Sequence, residues 1–282
     1  MIGGRQGNPR AIALGRWKWV ALAIVFIVLL NPVFLPYGAL LNAAFSPVAS
    51  QFVSLGTLTL HNFEFVFFEL SATKLAFQNT LILCTAAATI GTVMAVVIAY
   101  MTARKVIAWH KALGFLATAP VAVPGIVLGV GLFLSYTRPP FVLYGTLWIL
   151  LVAFITIALP SAYQQLYSAF RVVNPDLEEA SRILGASRLG TLARITAPLL
   201  RTSVIATWCF IFVGVIRELS AAIMLFTSET KVISVLIFDL NESGDLGAIA
   251  VLGLFMLVIT FTVVVLINRM PGFGGSVRLR NN

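Results

Sequence analysis

Apolar residues gather in six long stretches along the chain, at 17–41, 79–101, 113–136, 143–167, 198–226 and 246–268. Shorter segments that carry nearly all of the charge separate them. A stretch that is apolar on every side predicts a helix buried all round, and a bilayer crossing takes about 20 such residues. Six membrane-spanning helices are therefore expected. The first is the least regular, because Asn31, Pro32 and Pro36 interrupt it. Its uninterrupted part, 19–30, has the length of a signal-peptide core and follows Arg16 and Lys18, so a cleaved signal is the competing reading of that stretch.

Composition supports the membrane reading. Of 282 residues, 60% are hydrophobic and 10% charged, which leaves a soluble domain of this size without a polar exterior. The formal net charge of +9 would suggest a nucleic-acid partner in a soluble protein, but topology accounts for it and no nucleic-acid partner is expected. With six retained spans and the N-terminus inside, the cytoplasmic segments hold 15 basic residues and the outer segments 3. That asymmetry follows the positive-inside rule. The outer segments are acidic, with Glu64, Glu69, Glu229, Asp239, Glu242 and Asp245. Cleavage would not reverse this orientation, but it would remove a span, and retention is preferred. The expected organisation is a cytoplasmic tail at 1–18, a six-span domain at 19–268 and a second cytoplasmic tail at 269–282. Of the outer segments, 227–245 contains an apolar run at 232–238 and predicts a short helix or re-entrant turn at the membrane surface.

Several chemistries find no support in the sequence. Cys84 and Cys209 both lie in apolar runs and make neither a disulfide framework nor a zinc pattern. His61 and His110 are far apart without carboxylates or thiols around them, so no metal site and no hydrolytic constellation is expected. A Gly-rich phosphate loop is absent from the sequence, which argues against ATP hydrolysis by this chain.

The segment 168–197 stands apart, because it concentrates charge in a chain that has little. Asn174 can cap a short helix with Pro175 at its first position and Asp176, Glu178 and Glu179 near its positive end. Gly185 breaks that helix and Ser187 can cap a second. Taken alone this is an amphipathic pair lying on a bilayer surface. Its spacing is more specific. Glu179-Ala180-Ser181, three residues, Gly185, nine residues, then Ile195-Thr196-Ala197-Pro198 resembles the EAA loop of ATP-binding-cassette (ABC) importer permeases. Ser181 departs from the family's second alanine and Ala197 from its leucine.

The resemblance implies an all-α integral membrane protein of the type I importer permease fold, in the bacterial inner membrane with both termini cytoplasmic. It implies a coupling loop at 174–198 that docks on a cytoplasmic ABC ATPase dimer, with Glu178, Glu179, Ala180, Ser181, Gly185 and Ala186 as the coupling residues. Glu179 would pair with a basic group of the ATPase, Ala180 and Ser181 would allow close approach, and Gly185 would permit the turn. ATP and magnesium would be bound by that partner and no cofactor by this chain. A second permease, identical or paralogous, and a periplasmic or lipid-anchored binding protein complete the implied assembly.

The resemblance covers roughly 75–268. "FQNTLILCTAAATIGTVMAVVIAY" looks like the start of the permease core in the branch that imports ferric iron, polyamines, thiamine and aminophosphonates. "RELSAAIML" and "GDLGAIAVLGLFMLVIT" look closest to the ferric-iron and aminophosphonate members. Arg217 and Glu218 are charges inside an apolar span, where they either line a translocation path or permease interface, or serve packing alone. Arg217 would suit an anionic or metal-chelate cargo and Glu218 a cation. Gly125 and Gly129 form a G-x-x-x-G pair that permits close helix approach, and Pro120 and Pro124 can open backbone hydrogen bonds beside it. A secondary transporter is the alternative from another class, but it calls for several intramembrane acids or an inverted repeat. An integral scaffold without a transport role is a third.

Overall fold

The computed structural model describes residues 14–48, 51, 54 and 56–269. Among these, every regular element is helical. Helix α1 is Gly15–Phe45, α2 His61–Glu64, α3 Ser71–Ala103, α4 His110–Thr118 and α5 Gly125–Tyr136. Then come α6 at Leu147–Val172, α7 at Pro175–Ile183, α8 at Arg188–Thr191 and α9 at Ala197–Ile216. Three helices close the chain: α10 at Ala222–Leu225, α11 at Ile233–Ser243 and α12 at Leu246–Asn268. Five of the helical stretches are long and apolar enough to cross a membrane, and a bent pair raises the count to six.

The core lies where α3, α6 and α9 pack together. Helix α3 presents a stripe of small residues to it, among them Ala87, Ala88, Gly91, Ala95 and Ala99. Small side chains let helix backbones approach when no water drives association. The fit is close at Gly91, where a Cβ would stand 3.2 Å from Cδ1 of Ile211. Larger side chains from the other two helices fill the space, including Ile149, Phe154, Leu166 and Phe170 of α6 and Phe212 and Val215 of α9.

The irregular first stretch is one helix of 31 residues. Its prolines are carried by a wider turn at Leu30–Phe34, in which the Leu35 N–H donates five residues back to the Leu30 carbonyl. The same device, Ala197 N–H to the Leu192 carbonyl, precedes Pro198 where α8 runs into α9. Such turns take up the hydrogen bond that a proline cannot donate. The C-terminal part of α1 packs on α12, whereas Lys18–Leu29 buries no residue.

Two of the expected spans are broken. The stretch 113–136 is a pair of helices, His110–Ala122 and Gly125–Tyr136, bent by 106°. Val123 is extended at φ −102° and ψ 119°, as a residue before proline prefers, and Pro124 starts the second helix. Gly125 and Gly129 do permit close approach, though the neighbour is the stretch 218–224: a Cβ would meet Ser220 Cβ at 3.0 Å from the first and Met224 Cβ at 3.0 Å from the second. The stretch 198–226 is likewise not one helix. It ends at Ile216, and a turn at 217–221 leads into the short α10.

At the end of the bundle opposite α7, polar side chains fasten the loops. The Asn62 amide donates to the carbonyls of Ala43, Ala44 and Ser46 at 3.2, 3.1 and 3.0 Å, satisfying the C-terminal end of α1. It fits beneath Gly247, where a Cβ would lie 2.8 Å from the amide. The Asn79 amide donates to the carbonyls of Glu229 and Lys231, both at 3.0 Å. Thr80 accepts from the Ile233 N–H at 2.9 Å. Within 227–245 the apolar run forms α11, whose Ile233, Val235, Leu236 and Leu240 are buried. Of the expected tails, residues 1–13 and 270–282 lie outside the described residues, and with them Arg5, Arg10, Arg278 and Arg280.

Candidate coupling site

The charged segment folds as two short helices set at one end of the bundle. Asn174 caps α7, its Oδ1 accepting from the Asp176 N–H at 3.1 Å, and Pro175 occupies the first turn. The helix ends in a Schellman turn: Ala186 N–H donates to the Ser181 carbonyl at 3.1 Å and Gly185 N–H to the Arg182 carbonyl at 3.0 Å. Gly185 sits at φ +90°, a conformation that side chains with a Cβ rarely adopt. Ser187 then caps α8, accepting from the Gly190 N–H at 3.1 Å. Both caps lie where the sequence places them.

The two adjacent acids part company. Successive residues of a helix point about 100° apart, and Glu178 faces inward while Glu179 is exposed. Oε1 of Glu178 accepts from Arg104 Nε at 3.0 Å, Arg104 Nη2 at 2.9 Å and Thr196 Oγ1 at 3.1 Å. Arg104 Nη2 also donates to the Val173 carbonyl at 3.0 Å. Both members of the ion pair retain only 12% side-chain exposure. Ser181 and Thr191 hydroxyls meet at 3.0 Å and tie α7 to α8. Ala180 is exposed, as are Ile183 at 85% and Leu184 at 88%. A cavity of about 300 Å³ opens beside the ion pair, lined by Lys105, Glu179, Arg182 and Arg188 among others. Arg104, Thr196 and the exposed Ile183 and Leu184 carry no signal in the sequence that would have singled them out.

The second candidate pair lies at the break after α9. Arg217 ends the helix, where the helix dipole favours a cation, and its side chain is exposed. Glu218 is half-buried and its Oε1 accepts from the Ala221 N–H at 3.3 Å, so it caps the turn into α10. The Ser234 hydroxyl donates to the Glu218 carbonyl at 2.8 Å and joins the turn to α11. Both charges line a cavity of about 310 Å³ with Phe154, Ile157 and Ser161 of α6. This places them level with the middle turns of that helix. Arg217 also reaches a second cavity of about 500 Å³ beside Tyr37 of α1 and Met256 and Thr260 of α12.

A bundle of up to six crossings, one of them bent, with a short polar helix pair at one end, defines a multi-pass membrane protein. The chain belongs to the family of binding-protein-dependent transport system inner membrane components, which matches residues 91–270. It is similar to the ferric transport system permease protein FbpB of Actinobacillus pleuropneumoniae, at 26% identity over 95% of this chain and 38% of that one. It also resembles the putative 2-aminoethylphosphonate transport system permease protein PhnV of Salmonella paratyphi A, at 25% identity over 57% of this chain and 61% of the relative. The chain thus spans less than two thirds of these relatives' own length. A crystal structure of a bacterial alginate ABC transporter in complex with a pentasaccharide-bound periplasmic protein superimposes with a TM-score of 0.73 at 20% identity. That match covers 90% of this chain and 96% of the other and shows the ABC transporter permease fold.

Proposed function

We propose that this chain is one permease subunit of an ATP-driven importer and forms half of a translocation path. Its charged loop faces the cytoplasm, both termini lie on that side, and α7 docks on an ABC ATPase dimer. The observation that carries this reading is α7 itself: a capped helix that buries none of its residues and turns Glu179, Ala180, Ile183 and Leu184 to solvent. Exposed apolar side chains beside a charge make a surface suited to a protein partner. The chain contributes no catalysis. A second permease and an extracytoplasmic binding protein complete the machine, in keeping with the family's description and with the bound periplasmic protein of the alginate transporter. The cargo is ferric iron or an aminophosphonate, a choice supported by the names of the relatives. Arg217, exposed in two cavities, fits an anionic or chelated cargo better than a free cation.

Mild-detergent purification of this chain from its native membranes, followed by mass spectrometry, tests the assembly. An ABC ATPase, a permease partner and a binding protein are expected to copurify. A crosslinked preparation without an ATPase would overturn the reading. The recovered binding protein, titrated with ferric iron and with 2-aminoethylphosphonate, tests the cargo. Binding of neither removes the cargo assignment.

A further inference from the structure

Helix α7 is joined to the bundle in an unusual way. None of its residues is buried, so little hydrophobic packing holds it. Polar links at two side chains take that role, Ser181 to Thr191 on one flank and Glu178 on the other. The Glu178 link reaches further. Its single oxygen Oε1 takes three donors, two from Arg104 just beyond the end of α3 and one from Thr196 in the wide turn before α9. The same guanidinium holds the Val173 carbonyl just past the end of α6. One ion pair therefore joins the ends of the three helices that make the core to the helix that faces outward.

We propose that Arg104 and Glu178 form a positioning link that passes displacement of α7 to α3, α6 and α9, and that Glu178, unlike Glu179, does not contact the ATPase. The inference rests on the importer reading given above. Hydrogen bonds to charged groups are short and directional, so a helix held by them moves with its attachment points instead of sliding over them. At 12% exposure the pair is shielded from salt and water far better than a surface ion pair. Thr196 is fully buried and lies in the wide turn before Pro198, where α9 lacks one regular hydrogen bond. A pull on Thr196 thus acts where that helix is least rigid.

The test uses the copurified complex in nanodiscs, in a background with both native cysteines replaced by alanine. Nitroxide labels at the exposed positions 93 on α3 and 210 on α9 report the distance between the two helices with and without ATP plus vanadate. In the unaltered complex the nucleotide shifts that distance. Glu178→Ala and Arg104→Ala are expected to abolish the shift while the ATPase still copurifies and still hydrolyses ATP. Glu178→Gln, which keeps an acceptor for Thr196, should retain part of it. Glu179→Lys should instead lose the ATPase. A full shift in Glu178→Ala overturns the inference alone. So does loss of the ATPase from Glu178→Ala and Glu178→Gln to the same degree as from Glu179→Lys, because Glu178 would then be a docking group. An unaltered chain with no ATPase, or with no nucleotide-dependent shift, overturns the importer reading and the link with it.

Discussion

The two ends of this bundle are fastened by different chemistry. Opposite α7, the amides of Asn62 and Asn79 satisfy backbone carbonyls and α11 buries much of its own length. At the α7 end, a charged pair holds a helix that buries none of its residues. Neutral amide bonds to backbone combined with apolar burial fix one arrangement, because every neighbour loses contact when it shifts. A helix held at a few polar points can change position as a unit while those points hold. The contrast separates an end fixed by burial from an end held at a few polar points.

Substitutions at each end should therefore fail in different ways. The largest effect is expected from Gly129→Val, which belongs to neither end and breaks the middle. Its Cβ would stand 3.0 Å from Met224 Cβ and 3.2 Å from the Ala221 carbonyl. Overpacking of this kind costs about 1–3 kcal/mol or more, and size-exclusion chromatography after a thermal ramp should show early loss of the folded chain. Asn62→Leu follows. It leaves carbonyls of Ala43, Ala44 and Ser46 without their donor, at roughly 1–3 kcal/mol, and should lower thermal stability in the same assay. An unchanged melting profile would remove the static role given to that end.

Gly185→Val sharpens the contrast from the other side. Valine at φ +90° costs about 1–2 kcal/mol locally, yet the bundle should melt as before while ATP-driven cargo uptake in whole cells drops severalfold. Equal uptake would mean that the turn after α7 tolerates distortion. Lys231→Met should do least. The Lys231–Asp239 pair, 2.7 Å apart, is partly open to solvent, and such pairs contribute about 0–1 kcal/mol. A large loss of stability there would make that end depend on charge as well.

The sequence carried the outline of this fold and the local structure of the charged loop almost whole. Six apolar stretches, two short helices after Asn174 and Ser187, and the turn at Gly185 all rest on local chemistry. Two features escaped because they depend on distant contacts. Arg104 is 74 residues from Glu178, and no local rule separates an acid that turns inward from its neighbour that turns out. The break at 217–221 contains neither proline nor glycine, and Gly214 before it stays within the helix. The break depends on Glu218 capping Ala221 and on Ser234 reaching back from α11. The bend at Val123 was signalled by Pro124, but its size of 106° depends on what the following helix packs against.

That bend and the break after Ile216 lie side by side, Gly125 against Ser220 and Gly129 against Met224. Unpaired backbone at mid-membrane depth is tolerated only inside protein or beside water. The cavity of about 310 Å³ that opens here is walled by Arg217, Glu218 and Ser161 as well as apolar groups. Were water to fill this cavity, the insulating layer would be thinner at this seam than through the packed core beside it. A transmembrane voltage concentrates where the low-dielectric layer is shortest, so the Arg217 charge would then stand in a steep part of the field.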